Sequence, residues 1–443
     1  EGVNYLASVV WYPRLVRTYP ENTLAGQVLG FVTFKDLETP TGYFGIESHF
    51  NDLLTGSSKS IVYKSDPTKV EKIDSIPTGA SLILTLDREL QAAVERILTN
   101  ALKSNGAASG TIVVMDPRNG EILAMVTYPT YENNRMARFI PGYYYEQLSQ
   151  DPRRPLVNNA ISAELAPGSV YKLTTATGAY NENVIELGDI VQTPGRLTLC
   201  ERFLPTDPCI EGVNVRPFVD WIYERNGVIN EAGFGALDFY RCIAYSSNVC
   251  FYKLGGGFEG EIEEGLGIFR LGEYARALGY GERSGIQLPG EENGLVPTPQ
   301  WKRINKGENW STGDTYIASV GQGYVLATPL QVLMSGATIA NDGKLMQPTI
   351  VHEVQDAEGN VVEKWYDPTT LLVTDFKTSP TSYQISPFNP TMKWDITQTP
   401  LIRDYVCEGP YCTETDNFKT VSPFVVEKVQ EGMRLAVIDN QDG

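Results

Sequence analysis

Ser169 and Lys172 stand three residues apart in "APGSVYKLTT", residues 166–175. On a helix that spacing puts both side chains on one face, within reach of each other. A serine hydroxyl attacks an acyl carbon only once a base takes its proton. A lysine becomes that base only where desolvation or nearby positive charge lowers its pKa. The pair could therefore carry out nucleophilic acyl transfer in a partly closed site. Pro167 and Gly168 place Ser169 at a helix start, where unpaired backbone N–H groups and the positive dipole end face any anion that forms. The chain holds no second Ser-x-x-Lys. The competing reading is a serine cap followed by a solvated lysine.

A second polar group interrupts an apolar stretch in "YSSNVCFYKLG". There Ser246, Ser247 and Asn248 either face a cavity or form a polar turn between two helices. A serine hydroxyl can relay a proton, and an asparagine amide can hold a peptide backbone by its donor and its acceptor. The chain contains only two histidines, His49 in the loop-like "ESHFND" and His352 in the strand-like "TIVHEV". A Ser-His-Asp triad is thus disfavoured. "GQGY" at 321–324 lacks the three-glycine dinucleotide fingerprint and no Walker motif occurs, so phosphate cradling is not expected.

These residues need elements to position them. "SLILTLD" reads as a strand entering the helix "DRELQAAVERILTNALKSNG". Asp87 would be its N-cap and Gly106 its stop, with Leu90, Val94, Ile97, Leu98, Ala101 and Leu102 on one face. "TIVVMDPRNGEILAMVTYP" reads as a β-hairpin, since "DPRNG" supplies the turn residues. A helical region is expected from Ser169 to about Gly188. Others are expected around "GALDFYRCIAYSSNVCFYKLG", "GLGIFRLGEYARALGYG", "TPLQVLMSGATIANDGK" and "PFVVEKVQEGMRLAVI". Residues 374–420 are rich in Pro, Ser, Thr and Asn and read as a long surface insertion. A domain boundary is placed near residue 82, giving 1–82 and 83–443.

The 443 residues carry 54 acidic and 36 basic side chains, a net charge of −18, which argues against a nucleic-acid partner. No run of about 18 apolar residues occurs, so no segment here is long enough to span a membrane. The chain begins without Met, and we read it as a fragment whose anchor would lie upstream. Six cysteines form three local pairs. Cys200/Cys209 and Cys407/Cys412 lie in Pro-rich stretches suited to small disulfide loops in an oxidising compartment, with free thiols as the alternative. Cys242 and Cys250, in an apolar segment, read as buried thiols. No spacing makes a zinc site.

Ser-x-x-Lys followed by Ser-x-Asn resembles the motif set of penicillin-binding proteins and serine β-lactamases. Much of the chain is similar to class B penicillin-binding proteins, the peptidoglycan D,D-transpeptidases. "YPENTLAGQVLGFV" resembles their pedestal signature, "LTLDRELQ" the entry to the transpeptidase domain, and "TIVVMDPRNGEILAMVTYPTYENN" its hairpin. "GIQLPGEENGLVP", "WSTGDTYIASVGQGYVLATPLQ" and "IANDGKLMQP" extend the likeness. Trp-x-x-Gly-Asp-Thr at 310–315 favours the elongation type, penicillin-binding protein 2.

The resemblance implies a mixed α and β transpeptidase fold of the serine β-lactamase kind. It has an antiparallel sheet with helices on both faces, an all-helical lobe, and part of an N-terminal pedestal. It implies that Ser169 is the acylated nucleophile, Lys172 its base, Ser246 a proton carrier and Asn248 a substrate-binding residue, with no cofactor or metal. It further implies D-Ala-D-Ala stem peptides as donors, covalent binding of β-lactam antibiotics, and a membrane glycosyltransferase partner of the SEDS family. The expected position is the outer face of the bacterial cell membrane.

One part of the family's set is missing. No Lys-Thr-Gly occurs; Lys377-Thr378-Ser379 and Lys419-Thr420-Val421 come nearest, and neither is assigned that role. In the family the motif follows the helix that "VQEGMRLAVI" resembles, so a truncated chain is expected, and a gene ending here would give no transpeptidation. Two rivals stay open: a β-lactam sensor or inactive structural partner of a cell-wall complex, and a serine β-lactamase.

Overall fold

A computed structural model describes residues 16–34, 40–55, 79–137, 140–200, 206, 208–401, 406–408, 411–413 and 419–438. Strand periodicity organises its centre. Gly110–Met115 and Ile122–Tyr128 pair antiparallel, with Val113 opposite Met125. Successive side chains of a strand point to opposite faces. Ile112, Val114, Ala124 and Val126 pack on Val94, Leu98 and Leu102 of the Arg88–Asn105 helix. Val113, Met115 and Met125 join Leu330 and Met334 of the Pro329–Ala340 helix. The hairpin is thus held between helices on both faces. Each buried aliphatic side chain there contributes about 1.5–3 kcal/mol.

The Arg88–Asn105 helix begins and ends as expected. Asp87 accepts a hydrogen bond from Leu90 N at 2.9 Å, and Gly106 takes a left-handed φ of 65°. Its buried face is narrower than expected, because Ile97 and Ala101 are exposed. Gln91 is buried in their place. Its amide donates to Met125 O at 3.0 Å and accepts from Met125 N at 2.9 Å, so it satisfies a backbone pair of the hairpin.

Around the Lys172–Asn181 helix lies the helical lobe. Its core joins Tyr171, Ala176 and Ala179 to Leu254, Leu271 and Val425, from the Asn248–Gly256, Ile268–Ala277 and Pro423–Ile438 helices. The expected helix from Ser169 to Gly188 is shorter. It opens as a 3₁₀ turn at Gly168–Tyr171 and ends at Asn181, with Asn183 at φ 56° turning the chain away.

Two expectations about organisation are revised. Ser81–Leu84 pairs with Val351–Gln355, so the boundary near 82 falls inside a strand. Before it, Ala25, Val28, Ile46 and Phe50 share one core with Ile122, Val351 and Tyr366. The 374–420 stretch is not a surface insertion throughout. Tyr383–Ser386 pairs with Lys364–Asp367, and Met392–Asp395 pairs with Lys344–Met346. Tyr383, Ile385, Ile396 and Leu401 are buried. The polar texture is misleading because its polar groups are partnered: Ser386 Oγ accepts from Val354 N at 2.9 Å, and Asp395 accepts from Thr397 N at 2.9 Å. Residues 402–405, 409–410 and 414–418 of this stretch lie outside the described residues.

Candidate active site

Backbone contacts set the Ser169 turn. Gly168, at φ 62°, donates its N–H to Gly321 O at 2.9 Å. Gly321 itself has φ 69°, and a Cβ there would lie 2.3 Å from Gly168 O and 2.5 Å from Tyr171 Cβ. Only glycine permits that approach. The chain before the turn is pinned by a mutual pair between Leu165 and Ala327, at 2.9 and 2.8 Å. Behind it, Thr175 Oγ1 donates to Ser319 O at 2.8 Å and ties the turn's helix to Thr312–Ser319. Gly321 of "GQGY" therefore buttresses the serine turn. Ser169 is exposed and makes no capping bond, while Lys172 is only 3% exposed. The serine-cap and solvated-lysine reading fails at both residues.

Ser246 and Ser247 lie between the Phe239–Ala244 and Asn248–Gly256 helices, and Asn248 opens the second of them. They form a turn that also faces the buried lysine, so the two sequence readings of "SSN" merge. Ser246 holds a φ of 53°, which costs a non-glycine residue about 1–2 kcal/mol. Ser247 caps the second helix by accepting from Cys250 N at 3.2 Å. Its flanking residues meet Lys172. Lys172 Nζ lies 2.6 Å from Ser246 O, 2.6 Å from Asn248 Oδ1, 3.0 Å from Ser246 Oγ and 3.3 Å from Ser169 Oγ. All four residues singled out from the sequence converge on one nitrogen.

The chemistry follows from valence. Ser246 O and Asn248 Oδ1 can only accept, so they take two N–H bonds of the amine. What remains of the nitrogen faces the hydroxyls of Ser169 and Ser246, which can donate or accept. A neutral Lys172 would therefore direct its lone pair toward a serine proton. Burial lowers the Lys172 pKa from 10.5 to about 8, against an opposing pull from Asp220. Among the described residues no carboxylate hydrogen-bonds Ser169 or Lys172.

Sequence reasoning missed several supports. Asp220 is buried, and its only signal is a lone carboxylate in the apolar "PFVDWIY". Cys242 and Cys250, expected as thiols, form a disulfide with a Cα–Cα distance of 6.0 Å. The turn at 245–247 folds one helix end back on the next and brings the two sulfurs together, so the bridge encloses the Ser246–Asn248 loop. Reduction should lower the free energy of unfolding by about 2–3 kcal/mol for a loop of this size. Denaturant melts with and without reductant, in a variant with Cys200, Cys209, Cys407 and Cys412 replaced by serine, measure this, and identical midpoints would mean the two cysteines are not bridged in solution.

Cys200 and Cys209 are also bridged. Cys407 and Cys412 face each other across the Val406–Glu408 and Tyr411–Thr413 pair, but their side chains lie outside the described residues. His49 closes the Gly45–His49 helix rather than a loop, and burial lowers its pKa to about 4. His352 is on the Val351–Gln355 strand, 2.7 Å from Glu121. The two near-matches to Lys-Thr-Gly are tied elsewhere. Thr378 donates to Asp367 at 2.9 Å, and Lys419 pairs with Glu182 at 3.3 Å. No helix among the described residues is long and apolar enough to cross a membrane.

This geometry coincides with sequence and structural likeness. Residues 110–198 and 220–442 match the penicillin binding protein transpeptidase domain. The peptidoglycan D,D-transpeptidase MrdA of Haemophilus influenzae is 30% identical over 341 residues, covering 76% of this chain and 46% of that protein. The chain spans about half the length of the curated relatives it matches. Pseudomonas aeruginosa PBP2, solved in complex with WCK 5153, superposes with a TM-score of 0.66 at 23% identity, covering 98% of this chain and 77% of that one. Helicobacter pylori PBP2, solved in a complex with MreC, gives a TM-score of 0.60 at 30% identity, covering 76% of this chain and 60% of that one.

Proposed function

The chain belongs to the penicillin-binding protein transpeptidase family, and from that premise we propose that it is a serine-type peptidoglycan D,D-transpeptidase of the elongation type. The observation that carries this reading is the buried Lys172 amine, with a lowered pKa, against the Ser169 hydroxyl. Neutral Lys172 takes the Ser169 proton as Oγ attacks the carbonyl between the two D-Ala residues of a stem peptide. The Ser169 N–H stabilises the oxyanion. Collapse breaks the C–N bond, and Ser246 passes the proton from Lys172 to the departing D-Ala amine. Asn248 orients the donor peptide. A neighbouring stem-peptide amine then attacks the ester, and the same groups return the proton. A β-lactam would acylate Ser169 in the same way, but its leaving nitrogen stays tethered and obstructs the acceptor.

The same reading places the protein at the outer face of the membrane, anchored N-terminally, with a SEDS-family glycosyltransferase as partner. An MreC-type scaffold is a further candidate, since the similar Helicobacter pylori protein was solved with MreC.

Fluorescent penicillin tests the proposal. A stable label mapped to the Ser169 peptide by mass is expected. Rapid loss of the label would indicate a β-lactamase, and no label on the full-length protein would overturn the acyl-enzyme reading. Joining of a donor stem peptide to an acceptor amine then separates an enzyme from a sensor.

The acylation rate should also depend on pH. The active base is neutral Lys172, with a pKa of about 8, so the rate should rise roughly tenfold per unit from pH 6 towards 8 and flatten above it. Stopped-flow acylation across that range checks this. A flat profile would mean that Lys172 is not the group losing its proton.

A further inference from the structure

Asp220 is nearly inaccessible, 2% exposed, yet it meets the Ser246–Asn248 loop from behind. Its Oδ2 accepts from Ser247 Oγ at 2.5 Å and from Val249 N at 3.1 Å, and its Oδ1 accepts from Trp221 N at 2.7 Å. Three donors on one buried carboxylate make a rigid joint, and the serine bond has the short length of a charge-assisted hydrogen bond. The two bonds on Oδ2 bracket Asn248, whose Oδ1 holds Lys172. The residue on the other side of Ser247 is Ser246, with its unfavourable φ of 53°. We infer that Asp220 is a positioning residue of the acyl-transfer site, holding the Ser246–Asn248 turn against Lys172 and stabilising the lysine charge that forms when Ser169 gives up its proton.

This rests on the proposed role of Lys172 as the base. The amine lies among the Ser169 and Ser246 hydroxyls, the Asn248 amide, and the Phe251 ring at 5.7 Å. None of these is charged near neutral pH. Among the described residues, Asp220 is the charged group that acts on Lys172, and it favours the ammonium form. Burial keeps the resting lysine partly neutral, as a base must be. The carboxylate then stabilises the cation as the proton arrives. Both act on the ammonium form, in opposite senses, so removing Asp220 should make Lys172 both easier to deprotonate and weaker as a base.

Two variants and two readouts test this. In Asp220→Asn, the Lys172 titration midpoint, followed by NMR of ¹³C-labelled lysine, should move to lower pH. The acylation rate above that midpoint should fall about 10–100-fold. Ser247→Ala removes one donor but keeps the carboxylate, so acylation should slow about tenfold with the midpoint unchanged. An unmoved midpoint in Asp220→Asn overturns the electrostatic role. A parental acylation rate in Ser247→Ala overturns the positioning role, even if Asp220→Asn fails to fold. The NMR titration does not depend on acylation. A parent protein that titrates as described but never reacts with penicillin would contradict the proposed function and leave the Asp220–Lys172 coupling standing.

Discussion

Replacing Lys172 with methionine will slow acylation of Ser169 by penicillin about 10²–10⁴-fold, the range for removing a positioned general base. Methionine suits the site sterically, because it is unbranched and apolar and the position is only 3% exposed. Two further effects accompany the loss of the base. Ser246 O and Asn248 Oδ1 each lose a donor held at 2.6 Å, and for such half-buried acceptors, which water can reach, the loss is about 0.5–1.5 kcal/mol each. The loop should loosen and thermal stability should fall slightly. Lys172→Arg separates the two roles. Arginine restores donors but stays charged, so it cannot take the serine proton. Stability should recover in Lys172→Arg while acylation stays low. Acylation of Lys172→Met within threefold of the parent would remove Lys172 from the mechanism, and recovery of the rate in Lys172→Arg would show that only the hydrogen bonds mattered.

Gly321→Ala should slow acylation about 100-fold or more without any change in a side chain that does chemistry. Its Cβ would lie 2.3 Å from Gly168 O and 3.0 Å from Gly168 N, both backbone atoms of the nucleophile turn. A left-handed φ of 69° adds strain for alanine. Backbone cannot swing aside as a flexible side chain can, so the turn itself must shift. A displacement near 1 Å at a reacting atom costs about 10²-fold. The Lys172 midpoint should stay near its parental value, since the substitution does not touch the Ser246 and Asn248 contacts of the amine. Gly336→Ala is the control: it lies in the Pro329–Ala340 helix, and an added Cβ there meets nothing within 4 Å. Equal acylation rates in the two variants would show that the Gly168–Gly321 contact does not position Ser169.

Local pattern carried a large part of the molecule. Asp87 and Gly106 bound their helix because capping depends on a few neighbouring residues. The hairpin was legible from two apolar runs around the turn residues of "DPRNG", and its two faces follow from the strand period. Ser169 and Lys172 were legible because a three-residue helical offset is itself a statement about distance. The face of the Arg88–Asn105 helix was read too wide, since nothing in the helix says that Gln91 will find Met125. The 374–420 stretch was misread for a similar reason. Ser, Thr and Asn describe a surface only when their polar groups lack partners, and composition does not show that Ser386 will meet Val354 or that the strands of this stretch will pair with Lys364–Asp367 and Lys344–Met346.

The sequence by itself determined which groups could react and in what order they stand: a serine and a lysine one helical turn apart, and a polar Ser-Ser-Asn break downstream. Tertiary structure alone decided that they form a site. The Lys172 pKa is lowered because the lobe buries the amine, and desolvation is a sum over everything packed around it. Asn248 and Ser246, about 75 residues on, reach that amine because the Cys242–Cys250 bridge and Asp220 hold their turn from two sides. Gly321 fits under the Ser169 turn because two backbones meet there without side chains between them. Spacing along a chain fixes local distances, whereas burial, charge pairing and close backbone contact arise between distant segments and exist only once the chain has folded.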